Sequence, residues 1–356
     1  MSPVGLGIVG LGRWARAHAE AVARTDSVHL VSCFSRNESG RSEFADAFDV
    51  EHRASAFEAM LENPEVEGVI VATPNDLHVE MALQVIDAGR PALVDKPVSV
   101  DLASGLRLLR AAPDGSTIGV AHHARRLAVI RAAKRWIDSS GGPVRFAHAN
   151  FSNGRGAHLN PNAWHTRVAG SEAGVLIQVG IHQVENLLWL FGPVEAVNAR
   201  LVSNTAKPVP DGSTLILSHA SGVVSTLTSN WTTPGLFSLE AQCENGNIRG
   251  RVDHRFWKET SVDRESTLLV DTVDDHDVPI DLVVGDPLVE QLDELAATVR
   301  GEGSMEVDTA AGLRAMAVVL ASVESSRLGG AEVAIDSMLR DAGATDSEVA
   351  LLAGVG

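Results

Sequence analysis

Two rhythms of apolar and polar positions divide the chain. Up to about Ala121, short apolar runs alternate with stretches whose apolar residues recur every three or four positions. Runs of the first kind, "VGLGIV", "VHLVSCF", "GVIVATP" and "PALVDKPVS", predict buried strands. Between them a helix is predicted from Arg13, with Ala17, Ala21 and Val22 on one face, and others over residues 37–48, 56–61 and 75–90. Strands alternating with helices of this length make a doubly wound parallel sheet. Beyond Ala121 the helices thin out. "PVRFAHANFS", "AVNARLV", "STLILSHA", "GVVSTLTSNW" and "SLEAQCENGNIRGRV" read as strands joined by Gly, Asn and Ser turns, hence a mainly antiparallel sheet. "DPLVEQLDELAATVRGEG" and "DTAAGLRAMAVVLASVESSRLGG" are amphipathic helices, with Asp286 and Asp308 as N-caps and Gly329 as a C-terminal stop. Residues 336–356 are helix-prone but short of packing side chains. The expectation is an α/β chain: a parallel-sheet domain over 1–121, a C-terminal α+β domain with a large open sheet over 122–336, and a tail over 337–356.

Where the first strand meets the first helix stands Gly10-Leu11-Gly12-Arg13-Trp14-Ala15, a G-x-G-x-x-A turn. The first glycine permits the tight turn, the second lets backbone approach a pyrophosphate, and a small third residue lets helix pack on strand. The helix N-terminus attracts the anion. Gly5, Gly7 and Gly10 also spell G-x-G-x-x-G, but no strand could precede that register. A Rossmann domain that binds NAD places an acid at the end of its second strand for the ribose 2′-hydroxyl. Here that strand ends Ser35-Arg36-Asn37. A hydroxyl and a guanidinium suit a 2′-phosphate better, which favours NADP over NAD; stacking of Arg36 on adenine is the alternative. Gly10, Ser35, Thr73 and Lys96 all fall at carboxyl ends of predicted strands, where such a sheet receives its ligand.

At 356 residues the chain suits two cores better than one. Its 45% hydrophobic and 21% charged residues are ordinary for a globular protein. A net charge of -17 repels phosphate backbones and argues against a nucleic-acid partner. Two cysteines, Cys33 and Cys243, fit a reducing compartment. The N-terminus lacks a basic region with an apolar core, and no run reaches the ~18 apolar residues of a membrane span. A cytoplasmic protein with no membrane partner is therefore expected. Tyrosine is absent, so no tyrosine serves as a proton donor.

"GVLIQVGIHQVENLLWLFGP" carries a polar stripe, Gln178, His182 and Glu185, through apolar surroundings. On a helix these share one face, while Leu176, Val179, Leu187 and Phe191 turn to the core. A Gln/His/Glu face is a conceivable metal site, and His122, His123, His158 and His165 add nitrogens. No HExxH or CxxC spacing supports one, and no metal is expected.

With "GIVGLGRWARAH", "VATPNDLHVEMALQVIDAG", "DKPVS" and this helix in that order, the sequence resembles the glucose–fructose oxidoreductase, inositol dehydrogenase and rhizopine-catabolism (Gfo/Idh/MocA) superfamily, over roughly residues 4–335. The resemblance implies an NAD(P)-dependent dehydrogenase or reductase of sugars, cyclitols or related ring polyols, assembled as dimers or tetramers through the open sheet. It implies catalytic roles for Lys96, in a D-K-P element close to the family's E-K-P, and for His182. Cofactor contacts are implied for Gly10, Gly12, Arg13, Trp14, Ser35, Arg36, Thr73, Pro74, Asn75, His78, Asp95 and Lys96. Trp14 has a second reading, packing in the core. His182 takes the hydroxyl proton, and Lys96 holds the same oxygen, stabilises alkoxide or relays the proton. The family's aspartate four residues before the histidine is Gln178 here, so a neutral amide replaces a charge; orientation of His182 and contact with substrate are both open to it. Glu185 is expected to be structural. Of Arg125 and Arg126, one is expected in the cleft and the other on the surface; Trp164 and His165 are further candidate substrate contacts. Basic residues crowding these segments leave room for a carboxylate or phosphate on the substrate. The same superfamily contains NAD-dependent glycosidases, dihydrodiol dehydrogenases and a non-catalytic nucleotide-binding sensor.

Overall fold

The computed structural model describes residues 2–112, 117–158, 171–205, 208–252 and 266–353; Trp164 and His165 lie outside them. Two compact units emerge: Met1–His122 with Leu288–Leu313, and His123–Pro287 with Arg314–Gly356. A single boundary near residue 121 does not register the return of residues 288–313 to the first unit.

The first unit is built on β1 (Val4–Val9), β2 (Val28–Phe34), β3 (His52–Arg53), β4 (Gly68–Val71), β5 (Ala92–Val94) and β6 (Ile118–Val120). They pair in parallel in the order β3-β2-β1-β4-β5-β6. Helices α1 (Arg13–Val22), α2 (Glu38–Phe48), α3 (Phe57–Leu61), α4 (His78–Asp87) and α5 (Leu102–Ala111) connect them. The order reverses between β1 and β4, which opens a crevice beyond the strands' carboxyl ends. Gly5 and Gly7 lie inside β1, so the rejected glycine register is indeed strand. Asn37 caps α2 by accepting from Gly40 N at 3.1 Å. Asp308 accepts from Ala311 N at 2.7 Å, as an N-cap should. Helix Pro287–Val299 returns Leu288, Leu292 and Leu295 to the core of Leu6, Ile8, Ala15 and Ala19. The buried face of α1 is Ala15, His18, Ala19 and Ala21; Ala17 and Val22 are half-buried. The polarity of His18 hid this face, yet burial pushes its imidazole down to about 4 and leaves it a neutral core residue.

The second unit holds β7 (Val144–Ser152), β8 (Val194–Val202), β9 (Gly212–His219), β10 (Val224–Asn230), β11 (Leu236–Cys243), β12 (Gly246–Val252), β13 (Thr267–Asp271), β14 (Val278–Pro279) and β15 (Val333–Ala334). Their order is β14-β13-β12-β11-β7-β10-β9-β8-β15. Only the β7–β10 pair among these is parallel. Alternate residues, such as Ala147, Ala149 and Phe151 or Leu215 and Leu217, are buried, while Phe146 and Ile216 point outward. Helices α6 (Ala128–Trp136) and α7 (Ile181–Phe191) complete the unit's core. Residues 336–356 were expected to pack poorly. Instead helices Ile335–Asp341 and Asp346–Ala353 bury Ile335, Leu339, Val349 and Leu352, and Arg314 donates two hydrogen bonds to Leu351 O. Their apolar residues are few, and Leu351 stays exposed.

One buried acid stabilises the β8–β9 connection. Asp211 is fully buried and accepts from the backbone N–H groups and the side chains of both Asn204 and Thr205, at 2.6–3.0 Å. Burial pushes its carboxyl up, but these four bonds outweigh burial and hold it below the usual carboxylate range. A depressed folded-state value means stability is fully present above the unfolded value, ~3.9, and is lost as pH falls through the folded one. Asp211→Ala is expected to cost about 2–3 kcal/mol at neutral pH and to flatten the acid limb of a stability–pH curve measured by urea denaturation. An unchanged limb would remove Asp211 from the acid response.

Candidate active site

The glycine turn is shaped by its neighbour across the sheet. Gly10 has φ +84, and a Cβ there would lie 2.6 Å from both Cα and N of Thr73. Only glycine lets the β1 and β4 ends approach this closely. Around Gly12, by contrast, a Cβ would meet nothing within 4 Å, so its backbone faces open space. Gly12 caps α1 without a side-chain bond, and no acid occupies the first turn. The helix N–H groups there are left for an anion. Thr73 Oγ1 is buried with no hydrogen-bond partner among the described residues. An open glycine backbone, an uncapped helix and an orphaned hydroxyl fit a dinucleotide pyrophosphate. Arg13 stacks over Trp14 at 5.8 Å, and Trp14 packs partly against the core.

At the end of β2, Ser35 Oγ donates to Asn37 O at 3.0 Å, and Arg41 donates to Ser35 O at 2.9 Å. Arg36 is exposed and engages no acceptor among the described residues. Its guanidinium is thus available to a ligand.

Two residues beyond β4 and β5 stand Thr73 and Lys96. Lys96 is 7% exposed, and Asp95 beside it is 8% exposed. Burial pushes the Asp95 carboxyl up, while the Lys96 ammonium and backbone pull it down. Pro74 opens a 3₁₀ turn over Asn75–Leu77 and accepts from Leu77 N at 2.9 Å; Asn75 is buried. His78 was expected to touch the cofactor. Its ring nitrogens lie 2.7 Å from Pro97 O and 2.9 Å from Thr73 O.

In the second unit, the polar stripe begins in a π-helical segment, Leu176–Gly180, that runs into α7. Such bulges are frequent at functional sites. Leu176, Val179, Leu187 and Phe191 are buried as expected, but so are Gln183 and Asn186. Gln183 Nε2 donates to Asn150 O and Ser238 O, and Asn186 donates to Gln183 Oε1. These amides tie α7 to β7 and β11. Gln178 Nε2 donates to Ser171 Oγ at 3.0 Å. The His182 ring lies 4.9 Å from that of His123 and 6.0 Å from Phe151.

Neither arginine of "HHARR" is on the surface: Arg125 is 7% exposed and Arg126 3%. Arg125 forms an ion pair with Glu185, which is 1% exposed, and stacks 5.4 Å from the Trp189 ring. Glu185 is structural in this sense, and its charge offsets one of the cations that pointed to an anionic substrate. In the sequence, His123 stands out only as a conceivable metal ligand. Its signal, a position just beyond a strand, is hidden because β6 is only Ile-Gly-Val, with a glycine at its centre. Among the described residues no three His, Cys, Asp or Glu side chains gather as a metal site requires.

A family model for oxidoreductases with an NAD-binding Rossmann fold matches residues 4–122, and one for the GFO/IDH/MocA C-terminal domain matches residues 130–249. The chain belongs to the Gfo/Idh/MocA oxidoreductase family. A solved structure of a putative NADPH-dependent oxidoreductase from Desulfitobacterium hafniense is 33% identical, with a TM-score of 0.90 over 95% of this chain and 99% of that one. Oxidoreductase P35 of Formosa agariphila is 28% identical over 202 residues, 55% of this chain and 63% of that protein. The 1,5-anhydro-D-fructose reductase of Ensifer adhaerens is 27% identical over 256 residues, 69% of this chain and 75% of that one. The match therefore spans less than two thirds of P35. Membership of Gfo/Idh/MocA accounts for both units: a Rossmann sheet in the first and a large mixed sheet in the second.

Proposed function

We propose that this Gfo/Idh/MocA protein is an NAD(P)-dependent dehydrogenase or reductase acting on a secondary alcohol or ketone of a sugar, cyclitol or related ring polyol. The observation that carries the reading is a lysine at a strand end and a histidine on α7, each under a tenth exposed, at the two positions where the family resemblance places proton-handling groups. Relatedness to an anhydrofructose reductase supports the substrate class. A bound nicotinamide supplies the hydride acceptor or donor. The Gly12 backbone, the α1 N-terminus and Thr73 Oγ1 would hold its pyrophosphate, with Trp14, Pro74 and Asn75 nearby in sequence and Asp95 next to Lys96. His182 accepts the hydroxyl proton at an imidazole nitrogen during oxidation and returns it during reduction. The Lys96 ammonium donates a hydrogen bond to the reacting oxygen and stabilises alkoxide. Gln178 supports the histidine's segment through a neutral amide. Screening polyols, sugars and dihydrodiols with each cofactor, by absorbance of reduced nicotinamide, tests the reading. Turnover with none of them would refute it.

The unengaged Arg36 favours NADP. Arg36→Ala is expected to weaken NADP by about 1.5–3 kcal/mol and NAD far less, since only NADP carries the added phosphate. Equal losses in titrations of the two cofactors would mean that Arg36 stacks on adenine and reads no phosphate.

Assembly as a homodimer or tetramer is inferred from the outward face of the nine-stranded sheet, where Phe146 and Ile216 are 50% and 47% exposed. Sedimentation as a monomer would remove that part. Among the described residues no helix is long and apolar enough to cross a membrane, and both cysteines are free. A reducing cytoplasmic setting is consistent with both.

A further inference from the structure

His78 is the first residue of α4, is 1% exposed, and has carbonyl oxygens at both ring nitrogens. Nε2 meets Thr73 O at 2.9 Å, and Nδ1 meets Pro97 O at 2.7 Å. These acceptors belong to loops leaving different strands. Thr73 follows β4, and its backbone is the surface against which Gly10 turns. Pro97 follows β5 and is bonded directly to Lys96. The imidazole is therefore a brace between the loop that shapes the glycine turn and the loop that carries the lysine.

We propose that His78 is a positioning residue: through Pro97 O it fixes the loop that presents Lys96, and through Thr73 O it fixes the wall of the cofactor turn. The proposal rests on the dehydrogenase reading for Lys96 and on the glycine turn for the cofactor.

Neither carbonyl can donate, so both contacts need an N–H from the ring. A neutral imidazole carries one and a cationic ring two. Burial disfavours the cation and the two hydrogen bonds favour it; of the charged groups that act on the ring, Lys96 opposes the cation and Asp76 supports it. A ring with one proton satisfies one loop at a time, so the brace holds both loops only by exchanging its proton between them or taking up a second. No other side chain bonds both Thr73 O and Pro97 O among the described contacts.

The two arms can be separated. An asparagine amide nitrogen occupies roughly the place of Nδ1, and a glutamine amide nitrogen roughly that of Nε2. His78→Asn keeps the arm to Pro97 and loses the arm to Thr73; His78→Gln does the reverse. His78→Asn is expected to weaken NADP binding by about tenfold with kcat near the parent's, and His78→Gln to lower kcat by about tenfold with cofactor affinity near the parent's. A residue that merely fills space would shift both quantities together in both variants. Cofactor dissociation constants are measured without substrate, by titration of the full chain with NADP⁺ and NADPH. If the parent turns over none of the polyols, the dehydrogenase reading fails, and the affinity contrast still decides the brace. Equal cofactor affinities in the two variants would overturn it. Should neither variant fold, ¹⁵N-histidine spectra of the parent serve: saturation with NADP⁺ is expected to move the His78 ring resonances, and unmoved resonances would overturn the proposal.

Discussion

Lys96→Ala is expected to lower kcat by about 100-fold or more while leaving cofactor affinity near the parent's. The lysine is buried to 7% exposure at the end of β5, beside a carboxyl that burial makes reluctant to ionise. In the proposed mechanism its ammonium stabilises an alkoxide forming on the substrate. Lys96→Arg separates the two roles open to it. Arginine keeps the positive charge but does not give up a proton near neutral pH. If the lysine acts by charge, the arginine variant recovers part of the rate; if it relays a proton, arginine fails as alanine does. His182→Ala is expected to fall by a similar factor and to lose the acidic limb of the pH–rate profile, since the proposed base is gone. Single-turnover rates keep product release from masking either loss. Turnover of the alanine variant within roughly a factor of three of the parent's would remove Lys96 from the mechanism.

Much of the first unit was legible because its physics is local. An apolar run followed by a glycine turn and a helical period dictates β1, the turn and α1 whatever surrounds them. The strand ends Gly10, Ser35, Thr73 and Lys96 follow from the same rhythm. What escaped depended on contacts distant in sequence. β3 is two residues long and β6 has a glycine at the centre of its three, and both extend a sheet already formed. With β6 unseen, the position of His123 just beyond it went unread. His18 and Gln183 look like surface residues by polarity. One is kept neutral by burial, and the other is satisfied by carbonyls of β7 and β11. The π-helical start of the polar stripe is equally invisible to a reading at 3.6 residues per turn. His78 shows the converse: its motif is legible in the sequence, but the two carbonyls of its own chain that its ring faces are not.

Removing Arg125 is expected to destabilise the second unit by about 3–5 kcal/mol, because Glu185 would be left buried and unpaired. Arg125 reaches from the turn His123–Arg126 to Glu185 and Trp189, which lie four residues apart on α7. The ion pair thus docks the turn carrying His123 against the helix carrying His182, whose rings lie 4.9 Å apart. Arg125→Ala deletes both the charge and the stacked surface. Arg125→Met with Glu185→Leu removes the pair together and keeps the volume filled, so it should cost much less, or even stabilise. The contrast is one of charge burial rather than contact number. It also has a pH signature. An unpaired buried carboxyl has a folded-state value raised above its unfolded one. Stability then falls as pH rises from the unfolded value to the folded one, and the deficit of Arg125→Ala shrinks on acidification through that window. Urea denaturation of the parent, the single variant and the double variant between acid and neutral pH measures all three terms. A double variant no more stable than Arg125→Ala, or a deficit that ignores pH, would mean that Arg125 acts through packing on Trp189 alone. The double variant serves the active site as a control as well. With the fold retained and the ion pair absent, any loss of turnover reports how firmly the pair must hold His123 against His182 for the histidine to keep its alignment.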